Sequence, residues 1–199
     1  MTVALAVQKP GSRSPAREID DVTLARARRG DAAACRALVV CYQRAVFAHL
    51  SRMVGPSGQA ALVEDLAQET FLRVFRALPS FSPTGPARPS TWILTIATRV
   101  AIDLLRKARP QVSLEHAELS SSERTDAGAE RRQLRDRLER ALDTLSPEMR
   151  AAFVLRAFHE WSHDEIAAAL EVEVGTVKSR ISRARERLKQ ALEDGHDAG

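Results

Sequence analysis

The sequence predicts an all-α protein built as two small helical domains joined by a flexible acidic linker, with a helix-turn-helix in the second domain. Three observations carry that reading. Aromatic residues make up only 5% of the 199 positions, which is low for a sandwich or barrel, whereas the strong helix formers Ala, Leu, Arg and Glu dominate. Apolar residues recur at three- and four-residue spacing through two long blocks. The balance of charge changes between those blocks. Residues 20–109 hold 13 basic and 7 acidic side chains. Residues 110–130 set Arg124 against Glu115, Glu118, Glu123, Asp126 and Glu130, and residues 131–199 hold 13 of each sign.

The middle stretch, PQVSLEHAELSSSERTDAGAE, opens on a proline, carries a serine run and has few large apolar residues. Such a segment buries too little to offset the entropy of ordering it. The chain therefore divides into a disordered tail (1–19), a first domain (20–109), the linker (110–130), a second domain (131–192) and a short C-terminal tail (193–199).

In the first domain, Asp20 or Asp21 caps a short helix that stops at Gly30, and Asp31 caps the next, which runs to about residue 52. Leu38, Tyr42, Ala45 and His49 are its expected inward positions. GPSG at 55–58 breaks the chain. In the following helix, Val63, Leu66, Ala67, Thr70, Phe71, Val74 and Leu78 form one apolar stripe. The opposite face carries Asp65, Gln68, Glu69, Leu72 and Arg76. This acidic, amide-bearing face with one leucine at its centre reads either as a solvated surface or as a docking surface with an apolar centre and a charged rim.

Pro79, Pro83, Pro86 and Pro89 punctuate the next loop, and Ser90 is the expected cap of the helix after it. Trp92, Ile93, Ile96, Ala97, Val100 and Leu104 form that helix's buried stripe. Thr95, Thr98, Arg99 and Arg106 lie on the other side. A basic helix fed by a rigid loop suits gripping a nucleic-acid strand, and it also suits an ordinary amphipathic helix with extended arginines.

In the second domain, Leu134, Leu138, Leu142 and Leu145 keep helical spacing, and Ser146-Pro147 restarts a helix. Met149, Phe153, Leu155 and Phe158 continue the core, and Trp161 anchors a corner. Ser162 and Glu165 form a capping box. After a break at 171–173, a second helix carries Val174, Val177, Ile181, Ala184 and Leu188 inward. Thr176, Ser179, Ser182 and Arg183 point outward, flanked by Lys178, Arg180 and Arg187. A helix fits the major groove, arginine and lysine reach guanine edges, and short hydroxyls reach base edges or phosphates.

Other functions find little support. No apolar run approaches the ~20 residues of a membrane helix, so no membrane insertion is expected. The N-terminal MTVALAVQKPGSRSP lacks the basic start of a signal peptide. Cys35 and Cys41, about 9 Å apart along a helix axis, cannot pair within it, which fits a reducing cytoplasm. His159 and His163 have no third ligand nearby and read as solvated or capping residues. No phosphate loop, zinc-protease motif or nucleophile elbow occurs, so no catalytic residue, metal or cofactor is expected.

Three segments in order, EDLAQETFLRVFRAL (64–78), STWILTIATRVAIDLLRKAR (90–109) and VGTVKSRISRARERL (174–188), resemble extracytoplasmic-function (ECF) sigma factors of bacterial RNA polymerase. The resemblance covers nearly all of the chain outside the linker and tails. It implies a non-enzymatic subunit that brings core polymerase to promoter DNA and helps open it, with an anti-sigma protein as a further partner. By position, Asp65, Gln68 and Glu69, together with the neighbouring Leu72, match the polymerase clamp-binding motif. The loop from Ser80 to Pro89, including Phe81 and Ser82, matches the one that captures a flipped base at −10, with Thr95, Arg99 and Arg106 on the adjoining helix. Lys178, Ser179, Ser182 and Arg183 match the −35 readers, with Thr176, Arg180 and Arg187 beside them. Two positions depart from the family pattern. Arg99 stands where many members carry asparagine, and Glu171 replaces the usual glycine at the helix-turn-helix bend. A DNA-binding regulator independent of polymerase, or a serine recombinase, would need a sensing domain or an α/β catalytic domain, and the helical first half offers neither.

Overall fold

The computed structural model describes residues 18–55, 60–85, 87–108 and 140–194. The expected linker, residues 131–139 and most of both expected tails lie outside them. Among the described residues the structure is entirely helical, with seven α-helices: α1 (Asp21–Arg28), α2 (Ala32–Val54), α3 (Ala60–Ala77), α4 (Pro89–Ala108), α5 (Pro147–Phe158), α6 (His163–Leu170) and α7 (Val174–Asp194). A single 3-10 turn, Leu78–Ser80, follows α3, and residues 140–143 are also helical.

Local chemistry sets the helix ends. Asp20 accepts from the Thr23 amide at 2.8 Å, and Asp31 accepts from the Ala34 amide at 2.8 Å. α2 stops at Gly55, whose φ of 79° lies in the left-handed region that favours glycine. Ser146 caps α5 with Pro147 in the first turn, and Ser162 and Glu165 close the expected capping box on α6.

α2 is the axis of the first domain and packs on α1, α3 and α4. Leu38, Val46, Leu50, Met53, Val74, Ile93 and Ala97 are fully buried there, and each large aliphatic among them contributes about 1.5–3 kcal/mol. The inward stripe of α2 differs from the expected one at a single step: Val46 is buried and Ala45 is exposed. Both fit helical spacing, and the larger side chain takes the core. In the second domain, Leu155, Trp161, Ile166, Val177 and Ile181 pack α5, α6 and α7 together, while Leu142, Leu145, Ala184 and Leu188 form a smaller cluster.

The two domains share their cores. Ala151 and Val154 of α5 belong to the cluster of the first domain, and Leu94 of α4 belongs to that of the second. α4 is therefore covered on both sides, by α2 and α3 on one and by α5 and α6 on the other. This corrects the expectation for Thr98. It is fully buried rather than outward, and donates to the Leu94 carbonyl at 2.7 Å. A single apolar stripe on α4 accounted for one partner surface, and the second domain supplies the other. Phe158 is corrected in the opposite direction: it is 41% exposed, with the Arg52 guanidinium 4.5 Å above its ring.

Two polar clusters lie at this junction. Arg150, 4% exposed, donates to the Met53 carbonyl at 2.9 Å and to Asp143 at 2.8 Å. A Cβ on Gly55 would lie 2.1 Å from the Asp143 carboxylate, so glycine is required there for space as well as for φ. Nearby, His49 meets Thr98 at 2.9 Å and His159 at 3.0 Å.

Candidate polymerase and nucleic-acid interfaces

The acidic face of α3 stands free, as the apolar stripe behind it requires. Val63, Leu66, Ala67, Thr70, Phe71 and Val74 are all buried, so Asp65, Gln68 and Leu72 point outward, and Leu72 is 51% exposed. Glu69 is half-buried and accepts from Arg73 at 2.7 Å, which in turn reaches Asp103 of α4 at 3.3 Å. These bonds raise the Arg73 pKa above its ordinary value, the Glu69 bond contributing most. The ladder holds one edge of the face and leaves its centre open.

The outward face of α7 is also free. Val177, Ile181, Ala184 and Leu188 are buried, which turns Lys178, Ser179, Ser182, Arg183 and Arg187 to solvent, with Thr176 and Arg180 half-buried at the edges. Ser179 back-bonds to the Thr176 carbonyl at 2.9 Å, and Arg187 reaches the Thr144 carbonyl at 3.3 Å. The bend before α7 closes through Glu171, which adopts φ 54° and ψ 49°, the conformation in which glycine is ordinarily favoured. The Val172 amide then reaches back to the Ala167 carbonyl at 3.1 Å.

The loop and α4 look different from what their sequence suggested. Phe81 is 7% exposed and stacks on Trp92 with ring centroids 4.7 Å apart. It is the floor of the loop, packed beneath the segment expected at the DNA. Ser80 and Ser82 are exposed; Ser80 bonds to the Ala77 carbonyl, and Ser82 shares a hydrogen bond with Thr84. Thr95 is half-buried and back-bonds to the Thr91 carbonyl at 2.9 Å. Arg99 donates twice to the Ala169 carbonyl, at 3.0 and 3.1 Å, and pairs with Glu171 at 2.9 Å. Arg106 pairs with Glu148 at 2.7 Å. The two basic side chains expected at −10 are thus both bonded to the second domain, and the two residues that depart from the family pattern meet each other.

α4 begins at Pro89, one residue before the expected cap Ser90. The Ser90 hydroxyl and amide are instead bound by Glu18, 72 positions earlier. The sequence alone places Glu18 and Ile19 in the N-terminal tail. Glu18 also accepts from the Tyr42 hydroxyl at 2.7 Å, and the Ile19 amide donates to the same oxygen at 3.0 Å. Sequence reasoning missed these contacts, and no local spacing announces them.

The histidine pair is equally non-local. Because Thr98 donates to Leu94, its oxygen accepts from His49 Nε2–H, and His49 Nδ1 is left to accept from His159 Nε2–H. Both rings are neutral in this chain. Burial first, then the neighbouring His159 and Arg52, holds the His49 pKa well below 6.5. Burial and Arg52 lower that of His159 to about 4. The expectation of a solvated or capping His159 holds only for its position at the end of α5.

Among the described residues no group of histidine, cysteine and carboxylate side chains could hold a metal, and no helix is long and apolar enough to cross a membrane. Neither Cys35 nor Cys41 is joined in a disulfide.

Comparison with known proteins matches residues 38–111 to the Sigma-70 region 2 family and residues 135–188 to Sigma-70, region 4. The chain is 35% identical over 188 residues to the RNA polymerase sigma-H factor of Pseudomonas aeruginosa, covering 88% of this chain and 95% of that one. The ECF RNA polymerase sigma-E factor of Salmonella typhimurium is likewise 35% identical, over 87% of this chain and 94% of its own. The chain belongs to the ECF sigma factors. A solved structure of CnrH in complex with the cytosolic domain of CnrY matches with a TM-score of 0.61 and 26% identity, over 87% of this chain and 96% of that one. The sigma factor RpoE, solved with the anti-sigma factor NepR from Bartonella quintana, shares the fold at a TM-score of 0.60 and 24% identity, over 79% and 96%. The function of this chain is accordingly promoter-specific transcription initiation with RNA polymerase.

Proposed function

We propose that this sigma factor docks on the polymerase clamp through Asp65, Gln68, Glu69 and Leu72. It reads −35 with the outward face of α7, and grips and opens −10 with the 80–89 loop and α4. The observation that carries the −35 assignment is the exposed row of Lys178, Ser179, Ser182 and Arg183 on a helix whose other face is fully packed. Arg183, near the centre of the exposed face from Thr176 to Arg187, reads bases, whereas Arg187, one turn on and leaning toward Thr144, contacts phosphate. The experiment compares Arg183→Ala and Arg187→Ala on matched and mutated −35 elements over a salt series. A base contact is worth roughly 1–3 kcal/mol of discrimination, so Arg183→Ala flattens selectivity while Arg187→Ala weakens every template alike. Equal loss on all templates for Arg183→Ala removes base reading from that residue.

The packed arrangement of the two domains is a closed form. The −10 and −35 elements lie about 25 base pairs apart, roughly 80 Å of duplex at 3.4 Å per step. α2, the longest helix with 23 residues, is only about 35 Å long. Domains sharing one core do not span that distance, and Arg99 and Arg106 are already engaged. Promoter binding therefore separates the domains along the α4 junction. An anti-sigma protein that holds the closed form is the expected partner; the RpoE relative was solved with one. The protein acts in the cytoplasm, where its polymerase and promoters are.

A further inference from the structure

The loop expected at −10 is held at both of its ends by the first segment of the chain. At its start, Arg28 at the end of α1 donates to the Pro79 carbonyl in the 3-10 turn at 3.1 Å. At its finish, the Glu18 carboxylate accepts from the Ser90 hydroxyl and amide in the first turn of α4. The residue before that helix is Arg88, whose side chain has no acceptor, so α4 depends on Glu18 for the acceptor a local Ser, Asp or Asn would supply. A carboxylate suits this end of a helix, where amides point outward and the dipole is positive. Its third bond, to the Tyr42 hydroxyl, ties it to a residue only 2% exposed in the centre of α2. Burial pushes the Tyr42 phenol well above its ordinary pKa, so it remains a donor.

We propose that Glu18, Tyr42 and Arg28 are positioning residues for promoter opening, setting where the 80–89 loop begins and ends so that it meets the extruded base in one geometry. This rests on the reading of that loop as the −10 element. The loop floor is fixed by Phe81 on Trp92, and its tip, Ser82 to Gly85, makes only a local turn. With the floor packed and the tip solvated, the end contacts decide the tip's height over α4. Capturing a flipped base must recover a few kcal/mol of unstacking, and a loop free to shift recovers less.

Two variants separate positioning from simple helix capping. Glu18→Gln weakens charge-assisted bonds to Ser90 and Tyr42, while Tyr42→Phe leaves the Ser90 contacts and cuts the ties of both Glu18 and Ile19 to α2. Each is assembled with core polymerase. Core affinity, closed-complex affinity and the rate of opening, read by permanganate reactivity of −10 thymines, are measured. The expected result is opening slowed about tenfold by Glu18→Gln and severalfold by Tyr42→Phe, with both affinities within twofold of the parent. The double variant should be slower than Glu18→Gln alone by less than the Tyr42→Phe loss, because both cut the Glu18 tether and only Tyr42→Phe also cuts that of Ile19. Opening at the parent rate in Tyr42→Phe, or strictly additive losses, reduces Glu18 to a cap and overturns the proposal. A third variant with 82–87 replaced by Gly/Ser keeps the two ideas apart. If it opens promoters normally, the −10 role of the loop fails; if it alone is slow, only the positioning proposal fails.

Discussion

α7 and α4 carry two basic faces of similar appearance, and only one of them is open. On α7, Lys178, Ser182 and Arg183 stand in solvent over a packed stripe. On α4, Arg99 and Arg106 each hold an acceptor in the other domain, and Thr98, next to Arg99, is fully buried. A cation on a helix face is therefore not by itself available to DNA. The contacts of Arg99 and Arg106 are largely exposed, and such pairs are worth about 0–1 kcal/mol. They close the face without locking it. What holds the domains together is deeper: Leu94, the histidine pair and the Arg150 cluster.

The comparison is tested most strongly at Arg150. Replacing it in Arg150→Met removes the bond to the Met53 carbonyl and leaves Asp143 without its buried cation. We expect a loss of about 3 kcal/mol and a clear fall in the thermal midpoint. An unchanged melt would mean the junction is held elsewhere.

The open face of α3 provides the control, since Asp65, Gln68 and Leu72 at its centre are exposed. Gln68→Ala with Glu69→Ala should cost about 2 kcal/mol in affinity for core polymerase, roughly thirtyfold. Only the half-buried Glu69–Arg73 pair is lost from the fold, so the melting curve stays within about 1 kcal/mol of the parent. A melt that collapses together with binding would show that the face is structural.

Acid should loosen the junction through its histidines. Both pKa values are depressed in the closed form, so the separated or unfolded chain binds more protons as pH falls below about 6.5. The stabilisation is complete above that pH and is lost progressively down to about pH 4. Arg52 is the charged neighbour, and it opposes protonation of both rings. Hydrogen exchange of Leu94 to Val100 amides from pH 7.5 to 5 should reveal this, and His49→Gln should flatten the response. A pH-independent exchange profile in the parent would contradict the neutral pair.

The smallest effect is expected at Glu171→Gly. Glycine relieves a left-handed residue by about 1 kcal/mol, and removing the exposed partner of Arg99 costs up to about the same. Stability should barely change, while binding of the free protein to single-stranded −10 DNA rises a few-fold. A fall in that binding would argue that Glu171 assists Arg99 rather than occupying it.

The parts legible in the sequence were those with a local period or a local cap. The α3 stripe, the caps at Asp20, Asp31, Ser146 and Ser162 and the inward row of α7 are set by residues a few positions apart. The misread residues are those whose partners are distant in sequence. Thr98 was read as outward because its neighbours His49 and the second domain leave no period in α4. Phe81 sits in a proline-rich loop, yet Trp92 of the next helix buries it. Phe158 matched the spacing of a core residue, but α5 ends there and its ring meets Arg52 instead. Glu18 lies 72 positions from Ser90, so an apparently featureless tail residue holds a helix end.

The closed junction is tested most directly by the distance between the domains. Spin labels on exposed cysteines replacing Glu64 of α3 and Lys189 of α7, in a background lacking Cys35 and Cys41, report it by pulsed electron resonance. The free protein should give one short, narrow distance distribution. In the holoenzyme on promoter DNA the same pair should lengthen by tens of Å, since the ~80 Å promoter spacing far exceeds the ~35 Å length of α2. An unchanged distance in the promoter complex would contradict the account: the domains would then bind DNA closed, and the bonds of Arg99 and Arg106 would not have to break.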